Sequence, residues 1–157
     1  MDNCKIREAC DQDLDAVYQC SLAMYHELKS YNMPFEVNPS RLKDIIKANI
    51  AGKTSVVYVL EYEGRISGIV IGNMSKFDGR YKPEYGNIIG RITEIYIAPD
   101  LRGRNLAQEL MNKAIEWFRL SGVNYVEADI LTGNAASGKL FEQMGFSTLS
   151  RSVYRII

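Results

Sequence analysis

The spacing of apolar positions changes several times along the chain, and each change marks a different kind of element. Residues 3–9 are typical of a short strand, and apolar side chains at helical spacing then predict two helices, the first ending near Tyr31 and the second at Gly52. From Thr54 the apolar residues form two extended runs around Glu63-Gly64, a pattern that predicts a β-hairpin. The first half of the chain is therefore predicted to follow the order strand, helix, helix, strand, strand.

The second half alternates strands with helices. The predicted elements are a strand at 88–98, a helix from 107 to 121, a strand at 123–131, a helix at 134–144 and one or two closing strands at 146–157. Two strands joined by a helix form a right-handed crossover and are parallel, whereas a hairpin is antiparallel. We therefore expect one α/β (mixed α+β) domain over residues 1–157. Its central twisted sheet is expected to be mixed, mostly antiparallel, with about six to seven strands and about four flanking helices.

The charge balance argues against broad electrostatic partners. Lys plus Arg and Asp plus Glu both number 19, so the formal net charge is zero, and the charged residues are interspersed. This pattern predicts no nucleic-acid partner and no membrane partner. No apolar run approaches the roughly 18 residues of a membrane span, and the first residues lack the basic and apolar regions of a signal peptide. A cytoplasmic location is expected.

The cysteines do not suggest a metal site. Cys4, Cys10 and Cys20 all lie in the first 20 residues, and their odd number without a secretory signal favours reduced thiols. Their spacing is not that of zinc ligands, and the single His26 does not complete a set with them. No metal is therefore expected.

The stretch 92–107 has the pattern of an anion site. Its first half alternates like a strand, and its second half leads through a turn at Pro99 into a helical pattern. The first N–H groups of a helix have no intrahelical acceptor, and the helix dipole places partial positive charge there. Phosphate oxygens accept hydrogen bonds from these N–H groups and balance the partial positive charge. Arg102 and Arg104 would add charge-assisted hydrogen bonds.

Three motifs in this order resemble those of a known family. They are Arg102-Gly-Arg-Asn-Leu-Ala107 after a strand, Asn134 after the next strand, and Leu-Phe-Glu-Gln-Met-Gly-Phe at 140–146 closing a helix. Together they resemble the GNAT superfamily of acyl-CoA-dependent N-acetyltransferases, and the element order matches over nearly the whole chain. The resemblance implies a GNAT-like fold in which the two parallel central strands splay apart.

The resemblance also implies acetyl-CoA as a co-substrate and a set of residues that bind it. The pyrophosphate would lie on the loop that begins at Arg102, where Asn105 replaces the family's central Gly and, as a residue tolerant of left-handed backbone, is expected to preserve the loop. The backbone of residues 95–97 would pair with the pantetheine arm, and Asn134 would contact the cofactor or simply cap a helix. The implied cofactor-binding residues are Ile95, Tyr96, Ile97, Arg102, Gly103, Arg104, Asn105, Leu106, Ala107, Asn134 and Phe141.

The implied chemistry is direct attack of a neutral amine on the acetyl thioester, with a backbone N–H of the central strand at the oxyanion. Glu94 is the candidate base, acting directly or through water, although a structural role is the alternative. The family often protonates the leaving thiolate with a Tyr, and Phe141 stands at that position here. Tyr96 or Tyr154, water, or no general acid would then serve.

The acceptor is predicted only as a primary amine, on a small molecule or on a protein N-terminus or lysine. By the same resemblance His26, Tyr25 and Tyr31 would wall the acceptor pocket, and the alternative is a half-buried helix face. The resemblance is also compatible with a homodimer. A non-catalytic acyl-CoA-binding or regulatory module of the same fold is the alternative function, motivated by Phe141 and Asn105.

Overall fold

The chain folds into strands and helices in nearly the order that the sequence predicts. The structure, a computed structural model, describes residues 3–157; residues 1 and 2, which the predicted domain includes, lie outside the described residues. The strands are β1 (Cys4–Glu8), β2 (Ser55–Tyr62), β3 (Arg65–Lys76), β4 (Ile88–Ile97) and β5 (Val126–Ala128). The α-helices are α1 (Leu14–Lys29), α2 (Pro39–Ala51), α3 (Leu106–Leu120) and α4 (Ala135–Gln143). No helix in the described range has both the length and the hydropathy of a membrane-spanning segment.

The strands form one mixed sheet. Within residues 3–157 the sheet has five strands in the order β1-β2-β3-β4-β5. The pairings from β1 through β4 are antiparallel, and β4 pairs with β5 in parallel. The mixed, mostly antiparallel sheet and the parallel crossover are thus confirmed. The prediction of about six to seven strands is wrong, because the described residues supply five.

The missing strands are those predicted at the C-terminus. Residues 146–157 contain no helix or strand, and 147–157 are exposed throughout. The strand predicted at 123–131 is also shorter, since it spans only Val126–Ala128. A strand forms where a neighbouring strand satisfies its N–H and C=O groups, so strand propensity depends strongly on context. The short β5 offers little edge for residues 146–157 to pair with.

Apolar side chains form a core on each face of the sheet. Ile69 and Ile71 pack against α1 and α2, whereas Val70 packs against α3. This division follows from the alternation of side chains along a strand. The sheet therefore separates an α1 face from an α3 face, and a residue's place in the alternation decides which face it serves.

Two glycines allow α3 to seat closely on the sheet. A Cβ atom at Gly90 would lie 2.7 Å from a ring carbon of Phe118, and one at Gly72 would lie 2.9 Å from the same ring. Phe118 is fully buried in this space. Because Phe118 belongs to α3, these glycines fix the helix on the sheet, and with it the position of the first turn of α3 beyond the end of β4.

Candidate active site

Strand β4 contains a β-bulge at Thr93. Ile71 of β3 pairs with Glu94, while the next residue, Gly72, pairs with Ile92, so Thr93 is an extra residue in β4. An extra residue breaks the alternation of side chains and bends the strand locally. Ile92 and Glu94, which would share a face in a regular strand, therefore lie on opposite faces of the sheet.

Beyond the bulge, the side chains of β4 alternate between the two faces of the sheet. Glu94 contacts α1, and Tyr96 packs with the core on the same face. Ile95 and Ile97 pack with the core on the α3 face. Glu94 therefore shares a face with Tyr96 and alternates with its isoleucine neighbours.

The Glu94 carboxylate is buried and held by hydroxyl groups. Glu94 is 6% exposed, Ser21 Oγ donates a hydrogen bond to its Oε2, and the Tyr25 hydroxyl donates to its Oε1 over 3.4 Å. Burial raises the pKa of Glu94 above its ordinary value, and the hydroxyl donors of Ser21 and Tyr25 oppose that rise. A carboxyl whose pKa moves towards neutrality is suited to accept a proton at physiological pH.

The parallel strands β4 and β5 separate just beyond Ile92. They pair only over residues 90–92 and Val126–Ala128, while β4 continues to Ile97. Residues 93–97 therefore face an open wedge on the β5 side of the strand. A cleft of about 90 Å³ lies in this wedge. We call it the splay cleft, and it is lined by Met24, Leu28, Ile92, Thr93, Glu94, Ile95, Ala128, Asp129, Ile130, Leu131, Asn134, Ser137 and Phe141.

A larger groove lies elsewhere on the molecule. Its volume is about 730 Å³, and it runs between α1 and the β2–β3 hairpin without reaching Glu94. The carboxylates of Asp13 and Glu61 in this groove are both bound to Arg7, at 2.7 and 3.1 Å. Within the described residues no group of three or more His, Cys, Asp or Glu side chains could hold a metal ion. The splay cleft is lined by the predicted residues Glu94, Ile95, Asn134 and Phe141 and is therefore the candidate site, whereas Tyr96 lines the larger groove.

The loop between β4 and α3 presents unused backbone donors. Gly103 and Asn105 have left-handed backbone, with φ of 78° and 62°, so the expectation that Asn105 preserves the loop is confirmed for its conformation. In the described chain the backbone N–H groups of residues 103–108 have no hydrogen-bond acceptor. These donors lie at the positive end of α3, an arrangement that favours an anion. We call residues 102–108 the phosphate loop.

The Arg102 side chain connects the phosphate loop to α1. Its Nε donates to the Ile97 carbonyl over 2.9 Å, and its Nη2 donates to Glu27 Oε1 over 2.7 Å. The guanidinium carbon lies 5.6 Å from the centre of the Tyr96 ring. Arg102 is therefore already occupied by β4 and α1, a non-local set of contacts that the motif alone does not reveal.

Arg104 is held more loosely. Its Nη2 donates to the Asp100 carbonyl over 3.5 Å, and its guanidinium carbon lies 6.0 Å from the centre of the Tyr62 ring. Both contacts are at the long end of their ranges. Of the two predicted phosphate ligands, Arg104 is thus the one whose charge is more available to a bound anion.

Asn134 and Phe141 both line the splay cleft. Asn134 Oδ1 accepts a hydrogen bond from the Ser137 N–H over 3.2 Å, which confirms its role as the N-cap of α4. Phe141 is buried and meets Phe146 edge to face, with ring centres 4.9 Å apart. Tyr154, a predicted alternative proton donor, is 69% exposed in the C-terminal segment and does not line the cleft.

The predicted acceptor-wall residues are divided by the structure. Tyr25 contacts Glu94, and a Cβ atom at Gly133, in the turn that precedes α4, would lie 3.5 Å from the Cβ of Tyr31. His26 is exposed on the outer side of α1. Ser21 was missed by sequence reasoning, although a serine on the otherwise apolar face of a predicted helix, four residues before Tyr25, is the signal that points to it.

The family is shown by comparison with known proteins. Residues 21–146 match the model of the acetyltransferase (GNAT) family. The chain therefore belongs to the GNAT family, a class of N-acetyltransferases. The family assignment made from the three motifs is confirmed.

Its curated relatives include enzymes with longer chains. The chain is 30% identical over 89 residues to the uncharacterized N-acetyltransferase MJ1207 of Methanocaldococcus jannaschii. The match covers 57% of this chain and 38% of that protein. It is 28% identical over 111 residues to L-2,4-diaminobutyric acid acetyltransferase of Vibrio parahaemolyticus, covering 71% of this chain and 55% of the enzyme. The matched region thus spans from about two fifths to just over half of these relatives.

A solved structure shows the same fold. The aminoglycoside N-acetyltransferase AAC(6')-Iy in complex with CoA superposes with a TM-score of 0.80 at 13% sequence identity, covering 100% of this chain and 96% of that one. At this identity the likeness establishes the fold alone.

Proposed function

We propose that the protein transfers an acetyl group from acetyl-CoA to the primary amine of an acceptor by direct attack. The observation that carries the proposal is the convergence along one strand of a buried carboxylate, an open wedge beside β4 and a loop of unused backbone donors. Membership of the GNAT family supplies the reaction class, and the CoA complex of the structural neighbour supports CoA as the carrier.

The acyl carrier would bind along β4 from the phosphate loop to the splay cleft. The free N–H groups of Gly103, Arg104, Asn105, Leu106 and Ala107 would receive the pyrophosphate, with Arg104 and then Arg102 adding charge. The open side of the Ile95, Tyr96 and Ile97 backbone would pair with the amide groups of the pantetheine arm, as an added strand would. Asn134 and the apolar ring of Phe141 would border the same arm.

Glu94 would act as the base. The amine must lose a proton to become a nucleophile, and a buried carboxylate in the cleft would accept it directly or through water. The amine nitrogen then forms a bond to the acetyl carbon as the carbon–sulfur bond breaks and coenzyme A leaves as a thiolate. A backbone N–H near the β-bulge, where the ladder is interrupted, would donate to the developing oxyanion.

Phe141 has no proton to donate, and departure of the thiolate does not require one from it. Burial raises the pKa of Tyr96 above its ordinary value, and the charge of Glu27 adds to the rise, so its hydroxyl stays protonated at neutral pH. We propose Tyr96, which shares the sheet face of Glu94 and lines the larger groove, as the donor, with water as the alternative.

A small-molecule amine is the acceptor class that the relatives support best. The name of one relative specifies L-2,4-diaminobutyric acid, and that of another, 30% identical over 97 residues, specifies L-methionine sulfoximine and L-methionine sulfone. A protein N-terminus or lysine is the competing acceptor class. Assembly as a homodimer stays a prediction.

An acceptor screen tests the proposal. Purified protein is incubated with acetyl-CoA and a panel of short diamino acids, aminoglycosides and peptide N-termini, and free coenzyme A is quantified by chromatography. Chromatography is preferable to a thiol reagent because Cys10 is exposed and would itself react. We expect amine-dependent release of coenzyme A and an acetylated product of matching mass.

The same screen distinguishes the alternative, a non-catalytic acyl-CoA-binding module. Buried Phe141, where the family often has a tyrosine, is the observation that favours this alternative. Calorimetric binding of acetyl-CoA without release of coenzyme A in the presence of any amine would favour the module. Absence of acetyl-CoA binding would contradict both functions.

A further inference from the structure

Two hydroxyl groups on α1 hold the Glu94 carboxylate, one at each oxygen. Ser21 donates to Oε2 and Tyr25 donates to Oε1. Because they are four residues apart, both side chains lie on the same face of the helix. Among the described residues, no other side chain makes a hydrogen bond to this carboxylate.

The surroundings of Glu94 contain few other ionisable groups. Its partner across the ladder on β3 is the apolar Ile71. On β4 the titratable neighbour on the same face is Tyr96. Across the splay cleft the charged residue is Asp129, whose carboxylate pairs with Arg91 at 2.9 Å. The hydroxyls of α1 are therefore the groups that decide how this buried carboxylate is oriented and stabilised.

We propose that Ser21 and Tyr25 are positioning residues that hold Glu94 towards the splay cleft and keep it in its charged, proton-accepting form. This inference rests on the proposed acetyl transfer with Glu94 as the base. An ionised carboxylate has about four acceptor positions, so two donors leave positions for the proton of the amine or for a bridging water. A fully buried serine that makes its side-chain hydrogen bond to this carboxylate is consistent with such a role, since an unpaired buried hydroxyl would be unfavourable.

The direction in which the Glu94 pKa changes when a hydroxyl is removed follows from the form of the carboxyl that the hydroxyls stabilise. Hydrogen bonds to the ionised carboxylate lower its pKa, so their removal raises a pKa that burial has already raised. The base then becomes competent only at higher pH. We expect Ser21→Ala to move the acid limb of the kcat/KM profile upward by about one pH unit. Tyr25→Phe should move it less, because the Tyr25 contact is long, at 3.4 Å.

The experiment combines kinetics with a direct titration. The pH dependence of kcat/KM is measured with one amine for the wild type, Ser21→Ala and Tyr25→Phe, so that the ionisation of the amine is common to all. In parallel, carbon-13 NMR follows the labelled glutamate carboxyls, and the Glu94 signal is assigned by its loss in Glu94→Gln. We expect both readouts to shift in the same direction.

Matched variants on the same helix and at its C-cap serve as controls. The ring of Tyr18 packs against the same core, and Tyr18→Phe removes only its hydroxyl. Ser30→Ala removes a hydroxyl that donates to the Glu27 carbonyl. Neither should move the profile. Ser21→Thr retains a hydroxyl and should retain the wild-type limb.

The outcomes separate this proposal from the proposed function. If Ser21→Ala lowers the melting temperature but leaves the acid limb and the Glu94 titration in place, Ser21 is only structural and the proposal is overturned. If Ser21→Ala does not fold, an unshifted Tyr25→Phe overturns it instead. If the wild type acetylates no amine, the proposed function fails. The NMR titration then still tests the positioning role, and an unchanged Glu94 titration in Ser21→Ala or Tyr25→Phe would overturn it.

Discussion

The phosphate loop and the Glu94 site lie close together in sequence but are built from different parts of the chain. The loop uses backbone N–H groups, aligned by left-handed Gly103 and Asn105 and by the start of α3. The Glu94 site uses a side chain, held by hydroxyls that lie 73 and 69 residues earlier in the chain. One site is thus local and made of backbone, and the other is non-local and made of side chains.

The difference predicts how each site responds to substitution. A backbone site tolerates any residue that keeps its conformation, as Asn105 in place of glycine illustrates. A side-chain site depends on the identity of a few groups and on the packing that holds them. We therefore expect changes at the Glu94 site to affect turnover and changes at the phosphate loop to affect affinity for acetyl-CoA.

The largest expected effect is that of Glu94→Gln. Loss of the proposed general base should lower kcat by about 100-fold or more at neutral pH, with partial recovery at high pH, where more of the amine is already neutral. Steady-state kinetics from neutral to alkaline pH measure this, and calorimetry should show nearly unchanged acetyl-CoA affinity. Glu116→Gln, on the exposed side of α3, is the matched control. An unchanged kcat or a profile that does not recover would exclude Glu94 as the base.

Asn105→Val is expected to have the next largest effect. A β-branched residue at a φ of 62° strains the backbone, at a cost of roughly 1–2 kcal/mol, and should weaken acetyl-CoA binding about five- to thirty-fold. Asn105→Gly keeps the conformation and should bind like the wild type. Calorimetric titration with acetyl-CoA compares the two. Equal acetyl-CoA affinities of the valine and glycine variants would show that the conformation of residue 105 does not determine how the backbone N–H groups of the phosphate loop are oriented.

Charge at the phosphate loop should matter less. Arg102→Ala combined with Arg104→Ala is expected to weaken acetyl-CoA binding severalfold and to reduce its dependence on salt. Because Arg102 is already paired with Glu27, the single Arg104→Ala variant should account for most of the loss. Arg119→Ala, at the other end of α3, is the control. Unchanged affinity in the double variant would contradict the phosphate assignment.

The smallest expected effect concerns Asn134, which lines the splay cleft. Asn134→Ala removes the N-cap of α4 and should lower the free energy of unfolding by about 1 kcal/mol. Asn134→Asp keeps the cap and should restore stability. Denaturant titration measures the cap, and acetyl-CoA affinity measures the cofactor role. If the aspartate variant binds acetyl-CoA as tightly as the wild type, capping is the whole role of Asn134.

Local patterns explain why much of the fold could be predicted from sequence. The β2–β3 hairpin follows from two apolar runs around Glu63-Gly64, and α3 follows from one apolar face, because both signals lie within a few residues. Whether residues 146–157 form strands could not be predicted from such local patterns. Their formation depends on the edge beside β5, which provides only three residues.

The candidate site shows the same limit. The motif indicates a phosphate loop, but regular alternation along β4 would place Glu94 on the face of Ile92, and the bulge at Thr93 places it on the opposite face. The hydrogen bonds of Ser21 with Glu94 and of Arg102 with Glu27 join residues 73 and 75 positions apart, and no local pattern encodes such a meeting. The contact between Arg102 and α1 arises only when the chain packs in three dimensions.

The extra residue in β4 has a consequence for how such a strand can be altered. Deletion of Thr93 would leave Ile92 and Ile95 towards α3 and Glu94 towards α1, since the pairings on either side already place them there. The shortened strand would keep its core and its carboxylate but lose one backbone amide and the local bend. Deletion of Thr93 therefore separates the contribution of the extra amide and the bend from that of the side chains, a distinction that substitution scanning does not make.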